Sequence, residues 1–213
     1  MGWKLIPVTL LLYMLQLNVE AQKHPQLRYL GVDAGFNMAG IRSASQYDRH
    51  KKNFGANVNF SANYSFSDSK SVGASLSLEQ KGATDPVYDL KTNMNYASLP
   101  VYLKLVTGKE PRFFFTGGLY AGWLINAKIR GEQLQDGKLV GVNENVSGDF
   151  RSFDYGLVAS TGMMVRLYDD FDFIFSIRGS SGLLRITDHP PGPRPQNYSI
   201  NVSIGYIYYI RFR

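Results

Sequence analysis

The chain has 213 residues, a net charge of +6, no cysteine, 14% aromatic residues and only 19% charged ones. That length allows one domain or two small ones. The cysteine count excludes a disulfide framework, a thiolate zinc site and a cysteine nucleophile, and an aromatic-rich, charge-poor balance is the reverse of disorder.

The first element in the chain is a leader. Lys4 precedes the apolar stretch from Leu5 to Leu17, and Asn18-Val19-Glu20-Ala21 follows it. A charged start, an apolar core too short to span a bilayer and a Val-x-Ala ending predict a signal peptide over 1–21, cut after Ala21. The protein is therefore expected to leave the cytoplasm. Residues 22–27 then read as a short periplasmic segment before a barrel domain at 28–213. No later stretch approaches the ~20 apolar residues of a membrane helix.

From residue 28 onward the hydrophobic period is two. Leu30, Val32, Ala34 and Phe36 mark a strand in 28–40, and Phe54, Val58, Phe60 and Tyr64 one in 53–66. Val72, Leu76 and Leu78 mark 71–82, and Leu99, Val101 and Leu103 mark 94–107. Phe113, Phe115, Leu119 and Trp123 mark 111–128, and Phe153, Tyr155, Leu157 and Ala159 mark 150–167. Phe171, Phe173 and Ile177 mark 171–184, and Tyr198, Ile200, Val202 and Ile204 mark 197–211. Successive strand side chains point to opposite faces, so each segment has one apolar face and one small or polar face.

The connections alternate too. Long ones at 41–52, 83–93, 129–149 and 185–196 are separated by tight turns at 67–70, 108–110 and 168–170. An up-and-down barrel does this when its two ends face different compartments, with short turns in the periplasm and long loops outside. The strands also exceed the ~9–11 residues needed to cross a bilayer at a tilt.

The distribution of side chains then selects the solvent. One face carries Asp33, Glu79, Lys81, Lys104, Asp154, Arg166, Asp172, Arg178 and Arg211, among many Asn residues. On the other face the rings sort by height. Tyr64, Phe66, Phe113, Phe115, Phe171, Phe173 and Tyr208 lie toward the short turns, while Phe54, Trp123, Phe153, Tyr155 and Tyr198 lie toward the long loops. Mainly aliphatic and small residues, such as Val58, Leu76, Leu119 and Leu157, lie between. Two aromatic girdles around an aliphatic band predict an all-β, eight-stranded antiparallel up-and-down transmembrane β-barrel, apolar face to lipid.

Several segments resemble the PorT-like outer-membrane β-barrel family, the small porin-family barrels of Gram-negative bacteria. They are Gly31-Val32-Asp33-Ala34-Gly35-Phe36-Asn37, Glu79-Gln80-Lys81-Gly82 and Leu99-Pro100-Val101-Tyr102-Leu103-Lys104. Gly117-Gly118-Leu119-Tyr120-Ala121-Gly122 and Phe153-Asp154-Tyr155-Gly156-Leu157 add to them. The resemblance implies a barrel inserted by the outer-membrane assembly machinery, with no uniform activity across the family. One departure is at the end of the chain: such barrels often finish on an aromatic residue, whereas here Arg213 follows Phe212.

Little points to catalysis. The histidines are His24, His50 and His189. His50 or His189 with a loop Ser and Asp could form a triad acting on lipids at the rim, but no Gly-x-Ser-x-Gly elbow accompanies them. Neither a metal site nor a cofactor is expected, since His and carboxylates do not cluster. The nine inward charges, nearly balanced, are expected to pair in a lumen just wide enough for side chains to fill. The long loops are the expected working surface. Loop 41–52 holds Arg42, Arg49, Lys51 and Lys52 against Asp48, and Pro190-Pro191-Gly192-Pro193-Arg194-Pro195 is a stiff extended run. The partners expected are outer-membrane lipids and lipopolysaccharide, with an envelope protein possible. Nucleic acid is not expected, because no basic stripe is interleaved with stacking aromatics.

Overall fold

The computed structural model describes residues 28–42, 51–85, 90–135, 138–187 and 195–210. The predicted leader, the three histidines, residues 190–194 of the proline-rich run and Arg211 lie outside the described residues.

The strands are β1 (Arg28–Arg42), β2 (Lys51–Ser67), β3 (Lys70–Thr84), β4 (Lys91–Thr107), β5 (Arg112–Gln135), β6 (Lys138–Asn145), β7 (Phe153–Tyr168), β8 (Phe171–Gly182) and β9 (Gln196–Ile210). They form one antiparallel sheet in the order β4-β3-β2-β1-β9-β8-β7-β5-β6, and β4 also pairs with β5. That pairing closes the sheet into an eight-stranded barrel, with β6 attached to β5 above it. Closure satisfies the backbone N–H and C=O groups between strands, the condition for a strand structure in lipid.

The register fixes the shape. A row of paired residues runs from Leu30 through Ala62, Ala74, Val101, Leu119, Leu157, Ser181 and Tyr198, and returns to β1 at Gly40. The row comes back ten residues along the strand (30 to 40), and such a stagger tilts strands by about 35–45°.

The apolar set of each strand points outward: Leu30, Val32, Leu76, Val101, Leu119, Leu157, Val202 and Ile204 are all exposed. On β5, Phe113 and Trp123 stand ten residues apart. At ~3.3 Å per residue and a tilt of about 40° they are about 25 Å apart in height, the thickness of an outer-membrane apolar band. Phe36 and Phe60, outward and exposed, lie between the belts and belong to neither.

Inside, large rings are seated on glycines of neighbouring strands. A Cβ on Gly156 would lie 2.1 Å from Ser181 O and 2.8 Å from Tyr120 Cε1. One on Gly162 would come within 2.7 Å of the Phe114 ring, and one on Gly73 within 2.6 Å of Tyr102. Gly73, Gly156 and Gly162 are therefore spaces for inward rings, ring-and-gap pairs across neighbouring strands.

One expected loop is not a loop. Within 129–149, β5 continues to Gln135, β6 returns from Lys138 to Asn145, and a single 3-10 turn spans Ser147–Asp149. Gln135 pairs with Lys138, so Asp136-Gly137 sits between them in sequence. Asp-Gly between strand-forming runs is a strong hairpin signal. Val140 and Val142 supply the β-branched content that four scattered glycines obscured. The connections expected at 41–52 and 83–93 are shorter than read, because β1, β2, β3 and β4 extend two or three residues further toward the rim. The one expected at 185–196 is slightly longer, because β8 ends at Gly182.

Candidate functional site

The residues that converge are those on the inner face, in three layers. In the upper layer β3 supplies Glu79 and Lys81, two residues apart and hence on one face. Lys81 Nζ lies 3.0 Å from Glu79 Oε1 and 3.9 Å from Asp154 Oδ2 on β7. Its ammonium also stands over the rings of Tyr120 (4.7 Å) and Tyr96 (5.2 Å). Glu79 accepts from Ser98 Oγ at 3.1 Å, Ser199 Oγ at 3.4 Å and Asn201 Nδ2 at 3.5 Å. Asp154 accepts from the Tyr120 hydroxyl at 3.0 Å and Asn197 Nδ2 at 3.4 Å. Lys81 is 1% exposed, so this cluster is sealed from water and its charges interact at close to full strength.

The middle layer joins Asp33 and Arg178 indirectly. Asn59 donates from Nδ2 to Asp33 Oδ1 at 2.7 Å and accepts from Arg178 Nη1 at 2.6 Å. Arg178 Nη1 also donates to Ser77 Oγ at 3.1 Å. A bridging amide of this kind relays the two charges without bringing them into contact.

The lower layer centres on Asp172, which is fully buried. Arg166 Nε donates to its Oδ1 at 2.6 Å, and Arg112 Nη2 and the Tyr209 hydroxyl both donate to its Oδ2. Arg166 is 40% exposed at the turn end, so it closes the network from the rim rather than from within the lumen. Lys104 stands apart from the predicted acids. Its Nζ lies 3.5 Å from Met164 Sδ and sits over the rings of Phe114 (4.3 Å) and Tyr29 (5.0 Å). Cation–π attraction in a dry site takes the place of a carboxylate there.

The predicted charges are thus brought together as Glu79–Lys81–Asp154, Asp33–Arg178 through Asn59, and Arg166–Asp172. Arg211 lies outside the described residues. Sequence reading missed Arg112, the second guanidinium on Asp172, and the inward tyrosines Tyr96, Tyr120 and Tyr209. Arg112, Phe114 and Tyr120 occupy the positions of β5 that alternate with the outward Phe113, Phe115 and Leu119, and that parity was the available signal.

Two buried apolar clusters pack among the polar layers. Met94, Tyr96, Ala127 and Ile186, with Leu124 and Phe150 packed against them, lie at the loop end. Tyr29, Phe114, Met164, Ile207 and Tyr209 lie at the turn end. Ile186 is held in place by backbone bonds, donating to Pro195 O and accepting from Arg151 N. Between the layers are cavities of about 40 Å³, lined by Asp33, Tyr102, Lys104 and Arg178 among others, and about 30 Å³ beside Arg112 and Tyr209. Both are of a size to take a few water molecules. Among the described residues no group of His, Cys, Asp and Glu has the arrangement of a metal site.

The girdle rings stand on the outer face. Phe54, Phe66, Trp123, Phe113, Phe115, Phe153, Tyr155, Phe171 and Tyr208 are exposed, and Tyr64, Phe173 and Tyr198 are half-buried. They also touch one another: Trp123 meets Phe153 at 5.7 Å, Phe153 meets Tyr155 at 6.4 Å, and Phe171 meets Tyr208 at 5.0 Å.

Among solved structures, Neisserial surface protein A matches at a TM-score of 0.50 with 15% identity, over 87% of this chain and 97% of that one. OprG of Pseudomonas aeruginosa matches at 0.48 with 14% identity, over 89% and 98%. The attachment invasion locus protein Ail of Yersinia pestis matches at 0.47 with 14% identity, over 84% and 98%. No curated protein matches by sequence. The sequence profile of the outer membrane protein beta-barrel domain covers residues 20–188, well over half the chain. With the closed sheet, the outward apolar face and this match, the chain belongs to the outer membrane protein β-barrel domain family and resides in the bacterial outer membrane.

Proposed function

We propose that this is a non-enzymatic barrel whose lumen is closed by its own side chains and whose work is done at the extracellular rim, in a structural or interaction role. The observation that carries the reading is the filling of the lumen, among the described residues, by charge clusters and buried apolar clusters, with small cavities of about 30 and 40 Å³ between them. A narrow porin or transporter needs a continuous wet path, and an eight-stranded barrel is just wide enough for its side chains to fill. Purified protein in a planar bilayer is expected to give little or no conductance. Steady, large channels from the wild type would promote the porin reading.

The rim reading requires an orientation. With the leader 1–21 exported and the short turns in the periplasm, the β5–β6 hairpin stands outside the cell. Protease added to intact cells is expected to cut near Lys138, at the hairpin end, while a tag after Arg213 stays hidden until the outer membrane is broken. A reachable tag with an uncut hairpin would invert the topology.

A second reading is service as the membrane subunit of a secretion or envelope machine. Two observations favour it: the PorT-like motifs, and the edge of β6. Among the described residues β6 pairs with β5 alone, which leaves a row of backbone donors and acceptors for a partner's strand.

A further inference from the structure

The outer wall changes character above the upper girdle on one side of the barrel. On β5, Met94 of β4 pairs with Ala127, and both are fully buried in the loop-end cluster. In the next pair Lys128 is exposed, whereas Asn93 is buried and accepts from Asn53 Nδ2 at 2.7 Å. Thr92 with Ile129 then points inward by alternation, and Lys91 with Arg130 outward. The outward row continues from Lys91 to Thr84 and from Thr84 to Lys51. Lys51, Lys128 and Arg130 are exposed and Lys91 is half-buried. Four basic side chains thus lie on neighbouring strands of one wall, above Trp123 and the Asn95–Asn126 amide pair.

Lys91 directly opposite Arg130 is a like-charge cross-strand pair with Cα atoms about 5 Å apart, an arrangement that destabilises a sheet on its own. None of the ion pairs found among the described residues involves these four. The carboxylates nearest in register are Glu144, opposite Ile129 and so on the other face by alternation, Glu132, two residues above Arg130, and Asp85, next to Thr84, which has an interaction of its own. An anion held between Lys91, Arg130 and Lys128 turns that repulsion into attraction. Lys128 and Arg130 stand five and seven residues above Trp123, so their long side chains must reach down the wall to meet the phosphates of the headgroup layer above the Trp belt.

We propose that Lys91, Lys128 and Arg130, with Lys51 at the edge, form a binding site on the barrel wall for the phosphate of an outer-leaflet glycolipid. The site rests on the orientation proposed above, since only the loop end faces that leaflet. It places the lipid contact mainly on strands β4 and β5, and of the basic segment 41–52 it uses only Lys51, which begins β2. A phosphate there cross-links strands on either side of the β4–β5 seam.

The test uses the full chain in phosphatidylcholine nanodiscs with phosphorylated lipid A, with chemically dephosphorylated lipid A, or with neither plus free inorganic phosphate. Native mass spectrometry counts the lipid retained. Wild type is expected to retain phosphorylated lipid A, and K91Q/R130Q to lose affinity on the order of thirtyfold, from two basic groups at the membrane surface. The control R42Q/R185Q, away from the row, should retain it. In neutral detergent K91Q/R130Q should melt no lower than wild type, because a repulsion has been removed. Equal retention by K91Q/R130Q and wild type, equal loss in the control, or equal retention of dephosphorylated lipid would each overturn the site. Saturation by millimolar inorganic phosphate alone would do so too, showing a free-anion site instead. A wild-type chain that fails to insert into nanodiscs would overturn the barrel reading with it, whereas an inserted chain that retains no lipid counts against the site alone.

Discussion

Lys81→Met is expected to destabilise the barrel by about 3–5 kcal/mol, the cost of leaving buried charges without their partner. Methionine keeps the length and apolar stem of lysine but removes the ammonium that lies between Glu79 and Asp154. Both carboxylates then remain in a site where Lys81 is 1% and Asp154 2% exposed, with only neutral donors around them. The chemistry makes a second demand. Neutralising all three groups at once, as Lys81→Met with Glu79→Gln and Asp154→Asn, removes the charges together with their attraction, and the triple variant is expected to recover most of the loss. Urea titration in lipid vesicles, read as the shift of the folded band on unheated gels, measures both. If single and triple variants lost the same stability, packing rather than charge pairing would hold the upper layer together.

How far the barrel could be read in advance follows from the parity of strand side chains. Because alternation repeats every two residues, an error of one in any segment would have exchanged lipid and lumen faces. The observed register keeps Leu30, Ala62, Val101, Leu119 and Leu157 in one outward row. Parity carries no information where the chain leaves the wall, and the β5–β6 hairpin escaped for that reason. Its strands are wet on both sides, so no apolar face announced them, and only Asp136-Gly137 marked the turn. At the rim parity itself breaks: register shifts between Lys52 and Asn57 and at Asn95/Tyr96 move residues across faces, which sequence alone does not locate.

The inner site was legible as a list and not as a set of partners. Asp33, Glu79, Lys81, Asp154 and Asp172 could be assigned to the inside from alternation, and each is buried there. Which acid meets which base depends on the ten-residue stagger between the two ends of a row. That stagger sets Lys81 of β3 level with Asp154 of β7 across the lumen, and leaves Lys104 among rings. The buried apolar clusters were hidden for a different reason. Met94, Phe114 and Met164 occupy inward positions that a polar-in rule assigns to polar groups, yet a narrow lumen has ends that can be packed dry.

Leu119→Arg is expected to cost ~2–4 kcal/mol in a bilayer, the range for a basic residue on the lipid face at mid-depth. Leu119 is 62% exposed and pairs with Val101 and Leu157, so its neighbours on both sides are outward aliphatics. On its own strand Phe115 lies four residues below and Trp123 four above, which puts it midway between the belts. A guanidinium at this depth must reach toward a headgroup layer more than 10 Å away or draw water into the bilayer. Ile125→Arg supplies the comparison: Ile125 is 59% exposed on the same strand, but just above Trp123, where the cost should fall to about 0–1 kcal/mol. The difference between the two variants matters more than either value. A water-facing wall would make both substitutions nearly neutral, since each exchanges one exposed side chain for another. In lipid, the penalty must follow height along the strand. Urea titrations of wild type, Leu119→Arg and Ile125→Arg in the same vesicles would reveal it as an ordered loss, and equal midpoints for all three would mean that the outward face does not meet lipid at all.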